Sequence, residues 1–382
     1  MDLSEILFAL GEEHEQYFNA IAPPIIQTSN FAFSSVAEMR QCQAREYDHH
    51  FYTRGNNPTV EILRKKLAAL EGVEDALVFA SGSAAVSAAV LSQLASGDHV
   101  VSVARPYGWT DKLMTKFLPR FGITTSMIDG TSIENFRNAL KPETRLIFLE
   151  SPNSYTFDLQ DIEAVVELAK ERGIVTVIDN SYAGPLYQNP LQMGVDLVVH
   201  SATKYISGHG DTMAGVICGS GALMRKIFSS EYMTLGGIIS PFNAWLLLRG
   251  LRTLEVRMDR ICESAGKVVH FLENHSKIDH VFYPFSTTHP QYELARKQMK
   301  KCPGLFTIRL KTADIHEVER FCDSLKHFSL ACSWGGYESL IFPACATFSA
   351  DSIDEKRVNL VRIYIGLENP EKLIEDLEQA LG

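Results

Sequence analysis

The segment HSATKYISGHGD, residues 200–211, follows the apolar run Leu197–Val199 and determines how the rest of the chain is interpreted. The run is short and continuous, which predicts a buried strand. Lys204 follows it closely, between hydroxyl residues and a glycine-rich turn. A lysine in such a place is costly unless it is paired, neutralised or chemically engaged. We therefore expect a chemical role for Lys204, against the alternative of a solvated surface lysine.

The surrounding sequence predicts alternating strands and helices. The strand candidates are the apolar runs Leu77–Ala80, Val100–Ala104, Leu146–Leu149, Val175–Ile178, Leu197–Val199 and Gly215–Cys218. Helical patterns such as Ala84–Leu94 and Asp161–Arg172 lie between them. Continuous apolar strands are typical of sheets covered on both faces, and the alternation indicates parallel βαβ units. We predict an α/β fold with a mostly parallel sheet and helices on both faces.

The chain also shows where this pattern begins and ends. Asn57 as a cap, Pro58 in the first turn and Gly72 as a stop delimit a helix before the first strand. Residues 236–258 predict a long helix that leads into a smaller α+β region. The elements of that region would be the strands Leu305–Leu310 and Val361–Ile365 and the helix Pro370–Leu381. The predicted domains are an N-terminal arm (1–50), a large domain (51–235) and a C-terminal domain (236–382).

Composition and charge exclude several classes of protein. The chain has 382 residues and a formal net charge of −10, which disfavours a nucleic-acid partner. It has no basic n-region at its N-terminus and no apolar run long enough to span a membrane. Its seven cysteines are scattered and include no CxxC pair. This pattern favours reduced thiols over disulfides or zinc, and a cytoplasmic location.

Polar residues follow five of the predicted strands, where ligands of open α/β sheets bind. The segments are SGSAAV, RPYGWT, ESPNSYT, DNSYA and SATKY. Gly82 and Ser83 begin a helix, whose free N–H groups and dipole attract phosphate. Simple helix capping is the alternative for this segment. GxxxxGK[ST] and GxGxxG are both absent, which disfavours a nucleotide-binding protein.

Asp179 and Lys204 end successive strands, 25 residues apart. Ser201 and Thr203 add hydroxyls suited to phosphate oxygens. Pyridoxal phosphate requires a lysine for its Schiff base and an acid at the pyridine nitrogen, so these residues match its needs. A carboxylate that only caps the next turn is the alternative for Asp179.

Three further predictions are weaker when taken alone. Tyr107 could stack on such a ring or transfer protons, although a packing role is the alternative. Arg362 could bind a substrate carboxylate in bidentate fashion, although strand arginines are usually exposed. The histidines fit no metal-binding spacing, so no metal is expected.

With these residues in place, the chain resembles the trans-sulfuration (Cys/Met metabolism) family of pyridoxal-phosphate enzymes, of fold type I, from about residue 19 to the C-terminus. The matching segments are PPIIQTSNFAF, YTRGNNPTVEILRKKLAALEG, SATKYISGHGD, SPFNAWLLLRGLRTLEVRM and VRIYIGLENPEKLIEDLEQAL. The resemblance implies that Lys204 carries the cofactor, Asp179 holds its ring nitrogen and Tyr107 stacks on the ring. It implies that the phosphate is bound within the subunit by Gly82, Ser83, Ser201 and Thr203.

The resemblance also implies a shared site and a place for the substrate. Tyr52 and Arg54 match residues that reach the phosphate of a neighbouring subunit, so at least a homodimer, and typically a homotetramer, is expected. Arg362 would bind the α-carboxylate of a small sulfur amino acid, helped by the backbone around Ser333.

Two segments resemble bacterial cystathionine β-lyases. ESPNSYTFDLQDI places Ser154 where γ-synthases and γ-lyases have a ring-facing asparagine, and CSWGGYESLI places Trp334 where many relatives have a small or aliphatic residue. Trp109 stands where methionine γ-lyases usually have cysteine. These features predict β-elimination of cystathionine to homocysteine, pyruvate and ammonia.

Two alternatives stay open. GNNPT and SPFNAW resemble the γ-type enzymes, namely cystathionine γ-synthase, cystathionine γ-lyase and O-acylhomoserine sulfhydrylase. A non-enzymatic scaffold that kept the cofactor is the other alternative, and the presence of Tyr107, Lys204 and Arg362 together argues against it.

Overall fold

A computed structural model of the chain describes residues 1–348, 354 and 356–382. The chain forms two compact units. The first unit comprises Met1–Ser151, Gln160–Ser207 and Asp211–Arg252, and the second comprises Pro152–Leu159, Gly208–Gly210 and Thr253–Gly382. The predicted domain boundaries at residues 50 and 235 stay predictions.

The first unit contains a seven-stranded sheet. Its strands are β1 Asp75–Phe79, β2 His99–Val103, β3 Thr124–Ile128, β4 Thr144–Glu150, β5 Val175–Asp179, β6 Leu197–His200 and β7 Gly215–Gly219. The spatial order is β1-β7-β6-β5-β4-β2-β3, and only β7 runs antiparallel to its neighbours. The predicted mostly parallel sheet is therefore confirmed. Strand β3 was not predicted, because this edge strand is only partly buried and has no continuous apolar run.

Helices connect these strands and continue into the second unit. They are α1 Leu3–Phe8, α2 Val36–Ala44, α3 Pro58–Glu71, α4 Gly82–Leu91, α5 Gly108–Lys112, α6 Ile133–Ala139, α7 Ile162–Arg172, α8 Gly184–Tyr187, α9 Gly221–Ile227, α10 Met233–Leu235, α11 Pro241–Leu251, α12 Leu254–Glu273, α13 Tyr292–Gln298, α14 Ile315–Asp323 and α15 Pro370–Leu381. Short 3₁₀ segments cover His14–Tyr17, Leu118–Phe121 and Ala344–Thr347, and π-helical segments cover Leu113–Phe117 and Phe228–Tyr232.

The large sheet is covered on both faces, as predicted. Adjacent residues of one strand, such as Val198 and Val199, belong to different apolar clusters. One cluster includes residues of α4, and the other includes residues of α7. Because both faces are buried, ligands can reach the sheet only at its edges and at the ends of its strands.

The signals that delimit α3 act as expected. The Asn57 side chain accepts a hydrogen bond from the Thr59 N–H at 3.0 Å. Gly72 ends the helix with a φ of 70°, a conformation that favours glycine. Residues 236–258 do not form the single long helix that was predicted. Pro241 begins α11 only after Ser240, and Thr253 (φ −115°, ψ 10°) separates α11 from α12.

The second unit contains a five-stranded sheet. Its strands are β8 Ile278–Phe282, β9 Leu305–Leu310, β10 Ser329–Leu330, β11 Leu340–Pro343 and β12 Leu360–Tyr364. Their order is β10-β11-β12-β9-β8, and every pair except β10–β11 is antiparallel. This sheet and helices α12–α15 confirm the predicted smaller α+β region. Within the described residues, no helix has the length and apolar character that crossing a membrane requires.

Candidate active site

The N-terminus of α4 follows strand β1 and presents free backbone donors. The Ser81 side chain caps the helix by accepting from the Ala84 N–H at 3.1 Å. Among the described residues, the N–H groups of Gly82 and Ser83 have no hydrogen-bond acceptor. Unpaired N–H groups at the positive end of a helix dipole form a binding place for a phosphate group.

Gly82 also lies against the segment that carries the lysine. A Cβ added to Gly82 would come within 2.9 Å of the Ser201 Cβ, which real Cβ atoms essentially never do. Only glycine therefore lets the start of α4 approach the end of β6 this closely. The structure thus brings together two of the residues that were predicted to bind phosphate.

Asp179 ends β5 and is held by a serine two residues later. Its Oδ1 accepts from the Ser181 N–H at 2.9 Å and from the Ser181 hydroxyl at 2.5 Å. The same hydroxyl oxygen accepts from the Ser201 N–H at 2.6 Å, so Ser181 links the ends of β5 and β6. Asp179 Oδ2 has no hydrogen-bond donor within the described part of the chain.

Burial raises the pKa of the Asp179 carboxyl above its ordinary value. The hydrogen bonds from Ser181 and the nearby charges of His200 and Lys204 oppose this rise. A buried carboxyl with one oxygen left unbonded is suited to a cationic N–H partner, because such a partner would stabilise its ionised form.

Lys204 lies in a turn between β6 and β7 and is partly buried. Its N–H donates to the Ser201 carbonyl at 3.0 Å, which fixes the turn locally. Its positive charge lowers the pKa of the Asp179 carboxyl and so opposes part of the rise that burial causes. The structure therefore combines the predicted lysine and aspartate in the first unit.

The hydroxyl of Thr203 is already bonded to the backbone of Ala214. Its hydroxyl donates to the Ala214 carbonyl at 3.2 Å and accepts from the Ala214 N–H at 3.0 Å. Since the hydroxyl proton is directed at Ala214, Thr203 can offer it to a phosphate only by reorienting. Its predicted phosphate contact stays a prediction.

Tyr107 follows β2 and is 48% exposed. Its N–H donates to Glu150 Oε2, at the end of β4, at 2.7 Å. The backbone of Tyr107 is therefore fixed, while a large part of its ring remains accessible for stacking.

Tyr52 and Arg54 lie on the surface of the first unit. Tyr52 is 40% exposed, and the Arg54 guanidinium carbon lies 5.3 Å from the centre of its ring. Arg54 makes no hydrogen bond or ion pair within the described residues. An exposed arginine without such a partner is compatible with the predicted reach into a neighbouring subunit.

Arg362 belongs to β12 in the second unit and is oriented by main-chain carbonyls. Its Nη2 donates to the Cys332 carbonyl at 2.7 Å and to the Ser333 carbonyl at 3.5 Å. Its cross-strand partner in β11 is Phe342, whose ring centre lies 5.0 Å from the guanidinium carbon. Arg362 therefore lies beside the backbone of Ser333, and Trp334 follows in the same loop. The predicted binding of a substrate carboxylate by these residues stays a prediction.

Ser154 lies in a second loop of that unit, followed by Tyr155, whose φ of 66° is unusual for a residue with a side chain. Sequence reasoning did not identify Tyr155 or Ser181 as important. The D-x-S spacing could have identified Ser181, because such a serine commonly bonds back to the aspartate.

The described residues contain no group of three or more His, Cys, Asp or Glu side chains that could hold a metal ion. His50, one of the histidines whose spacing fits no metal motif, forms a hydrogen bond of 2.7 Å between its Nε2 and Glu61 Oε2.

These observations fit pyridoxal phosphate. Two unpaired helix-terminal N–H groups suit its phosphate, the unbonded oxygen of Asp179 suits its ring nitrogen, and Lys204 suits its aldehyde.

Comparison with known proteins agrees with this fit. The family model described as "Cys/Met metabolism PLP-dependent enzyme" matches residues 5–382. An L-methionine gamma-lyase from Fusobacterium nucleatum subsp. nucleatum is 40% identical over 372 residues, covering 95% of this chain and 94% of the relative. A cystathionine gamma-lyase from Bacillus subtilis is 35% identical, covering 97% of both chains. The chloroplastic cystathionine gamma-synthase 1 of Arabidopsis thaliana is 38% identical, covering 95% of this chain and 65% of the relative.

The predicted fold type I architecture and the predicted cofactor are thereby confirmed. The protein is an enzyme that uses pyridoxal phosphate, and it belongs to the Cys/Met metabolism family of carbon–sulfur lyases and their relatives.

Proposed function

We propose that this enzyme cleaves the Cγ–S bond of a sulfur amino acid by γ-elimination. The unpaired N–H groups of Gly82 and Ser83 and the unbonded oxygen of Asp179, in the unit that also contains Lys204, support a pyridoxal-phosphate reaction. The family supports carbon–sulfur lyase chemistry. The names of the relatives favour the γ-type reaction over the β-elimination that the sequence predicted.

Pyridoxal phosphate supplies an electron-accepting ring and an aldehyde that binds the substrate amine. Lys204 would hold this aldehyde in the resting enzyme and, as a free amine, would accept the α-proton of the substrate. The Asp179 carboxylate would hold a proton on the ring nitrogen. The N–H groups of Gly82 and Ser83 would hold the phosphate, with the hydroxyl of Ser201 and, once reoriented, that of Thr203.

The substrate is oriented by its carboxylate. Arg362 binds that carboxylate with two parallel hydrogen bonds, while Ser333 and Trp334 form the adjoining wall. Tyr107 would stack on the ring of bound pyridoxal phosphate, and Ser154 stands at the position where γ-type enzymes have a ring-facing asparagine.

A γ-elimination requires a second proton to leave from Cβ before the sulfur departs. Lys204 and Tyr107 are the groups proposed to accept and return these protons. With one water consumed, cystathionine yields cysteine, 2-oxobutyrate and ammonia. The corresponding products of methionine are methanethiol, 2-oxobutyrate and ammonia.

β-Elimination remains a second candidate because of three side chains. Ser154, Trp334 and Trp109 follow the β-lyase pattern or depart from that of methionine γ-lyases. In this reaction cystathionine and one water give homocysteine, pyruvate and ammonia.

The ketoacid product separates the two candidates. We expect the purified enzyme, loaded with pyridoxal phosphate, to release 2-oxobutyrate from cystathionine or methionine, with Lys204→Ala as the inactive control. Pyruvate from cystathionine would show that β-elimination is the correct function. Absence of any ketoacid from cystathionine, cysteine, methionine or O-acetylhomoserine would contradict a lyase function.

A homo-oligomer with shared sites is part of the proposal. If Arg54 binds the phosphate of a neighbouring subunit, Arg54→Ala should weaken cofactor binding. Co-refolding of Arg54→Ala with Lys204→Ala should then restore part of the activity, because one site of each mixed pair is intact. Hybrids as inactive as their parents would contradict shared sites.

A further inference from the structure

The loop Asn153–Asp158 of the second unit is tightly closed by its own side chains. Asn153 Oδ1 accepts from the Asp158 N–H at 3.0 Å, and the Asn153 N–H donates to the Asp158 carbonyl at 3.0 Å. Thr156 Oγ1 bridges the two side chains, with contacts of 3.1 Å to Asn153 and 2.6 Å to Asp158. The loop is therefore held in one conformation.

This closure imposes an unusual backbone on two bulky residues. Tyr155 has a φ of 66° and Phe157 a φ of 55°, in the left-handed region that side chains disfavour. Gln291 fixes the end of the loop by bonding both the N–H and the carbonyl of Leu159, at 2.8 and 2.7 Å. Strained residues that surrounding bonds hold in place concentrate at functional sites.

The Tyr155 side chain is directed at arginines. The guanidinium carbon of Arg357 lies 4.9 Å from the ring centre, and that of Arg362 lies 5.9 Å from it. Burial raises the pKa of the Tyr155 hydroxyl, while the two arginine charges and a hydrogen bond with Arg357 oppose the rise. The phenol is therefore neutral at neutral pH, and its ring can attract both cations.

Three groups that carry no negative charge contact the Arg362 guanidinium. The Cys332 carbonyl accepts from Nη2, Phe342 lies on one side and Tyr155 lies within cation–π distance. Carbonyls and aromatic rings orient a guanidinium group without neutralising its charge.

We propose that Tyr155 is a positioning residue for Arg362 and, through it, a determinant of affinity for the substrate carboxylate. This inference rests on the proposed role of Arg362. The Arg357 guanidinium lies against the Tyr155 ring, and the closed loop holds the Tyr155 backbone. The guanidinium of Arg362 is therefore ordered before the substrate arrives, which reduces the entropy lost on binding.

A residue that acts in this way affects binding more than chemistry. Tyr155→Leu should raise KM by about 3- to 30-fold, the range expected from one cation–π contact, with kcat changed by less than about 2-fold. Tyr155→Phe keeps the ring and both contacts with arginine and loses only the hydroxyl, so its KM should lie between those of the wild type and Tyr155→Leu. Tyr292→Leu, which alters a partly buried tyrosine at the start of α13, is the matched control.

A spectral titration of the loaded enzyme separates positioning from general damage. Glycine carries a carboxylate and methylamine does not. Tyr155→Leu should weaken the glycine-induced change in cofactor absorbance by the same factor as KM and leave the methylamine response unaltered. Equal losses for both amines would overturn the proposal.

The variant Arg362→Met distinguishes failure of this inference from failure of the proposed function. If Arg362→Met leaves KM and glycine affinity unchanged, Arg362 does not bind the carboxylate and the proposed function is wrong at this residue. If Arg362→Met weakens both but Tyr155→Leu does not, only the positioning role of Tyr155 is wrong. In the Arg362→Met background, Tyr155→Leu should have no further effect on glycine affinity, and additive losses would contradict coupling through Arg362.

Discussion

Two strand ends of the large sheet carry almost the same four residues and give opposite electrostatic results. Strand β3 ends at Ile128 and continues as Asp129-Gly130-Thr131, and β5 ends with Ile178-Asp179 and continues as Asn180-Ser181. In each case Oδ1 of the aspartate accepts from the N–H and the hydroxyl of the residue two positions later, at 3.0 and 2.7 Å for Asp129 and at 2.9 and 2.5 Å for Asp179.

The pKa values of these aspartates nevertheless move in opposite directions. The hydrogen bonds from Thr131 lower the pKa of the exposed Asp129. Burial raises the pKa of Asp179 despite equivalent bonds from Ser181. Strand β3 is at the edge of the sheet and β5 is at its centre, so position in the sheet decides which effect dominates. The same local motif can therefore be a solvated turn or part of a chemical site.

The largest expected effect concerns Lys204, because the motif at the end of β5 has a lysine near it. Lys204→Ala should lower turnover by at least ~10³-fold, because both the cofactor attachment and the general base are lost. Cofactor absorbance and ketoacid release measure the two losses. Lys116→Ala, at an exposed lysine, is the control, and a Lys204→Ala enzyme that kept its visible band and its activity would remove the central assignment.

The next effect tests the comparison directly. Asp179→Asn keeps the shape and both bonds from Ser181 but removes the charge, so α-proton abstraction should slow by ~10²-fold or more. Exchange of the substrate α-proton in deuterated water, followed by NMR, measures this step. Asp129→Asn, in the matching motif, should leave the exchange rate unchanged. Equal effects of the two substitutions would show that the motif and not its burial is decisive.

A smaller effect is expected from the hydroxyl in each motif. Ser181→Ala removes a hydrogen bond to the ionised form of Asp179, so the pKa of that carboxyl should rise further. If the ionised carboxylate is the active form, the acid limb of kcat/KM moves to higher pH. The rate at the optimum should fall by roughly 10-fold, the value of one charge-assisted bond. Thr131→Ala is the control, and a pH profile that Ser181→Ala leaves in place would count against this role.

The smallest effect concerns stability at the exposed motif. The pKa of Asp129 is lower in the folded state than in the unfolded chain, so its bonds contribute stability above about pH 3.9. This contribution is lost as the pH falls through the lowered value. Asp129→Asn should therefore lose less free energy of unfolding than the wild type as the pH is lowered. The difference should be no more than ~0.5 kcal/mol, as for most surface substitutions. Urea unfolding at several pH values measures this, and a steeper acid slope would contradict it.

The sequence was a good guide wherever a signal was local. Asn57 and Gly72 act at the ends of α3 as predicted, and each apolar run of the large sheet is a strand. Strands β3, β8 and β10 were missed because partly exposed strands lack a continuous apolar run. Strand β11 was missed because its short apolar run ends in a proline, which disfavours strands. The break at Thr253 was missed because the apolar helical pattern continues through it.

For the site, the predicted Gly82, Ser201, Asp179 and Lys204 come together within the first unit. Arg362 and the backbone of Ser333 come together in the second unit. The sequence did not indicate that the hydroxyl of Thr203 is bonded to Ala214, nor that Tyr155 lies beside Arg362. Those contacts join residues 11 and 207 positions apart, and no spacing rule specifies them.

The sequence by itself determined the alternation of strands and helices, the polar segments that follow five of the strands and the pyridoxal-phosphate chemistry that those segments suit. These properties follow from side-chain type and short-range spacing. Only the tertiary structure decided that Asp179 is buried while Asp129 is exposed, and that Arg362 is held by carbonyls and rings. The physical reason is that desolvation and long-range contacts depend on which elements pack around a residue, and a local motif does not encode its neighbours.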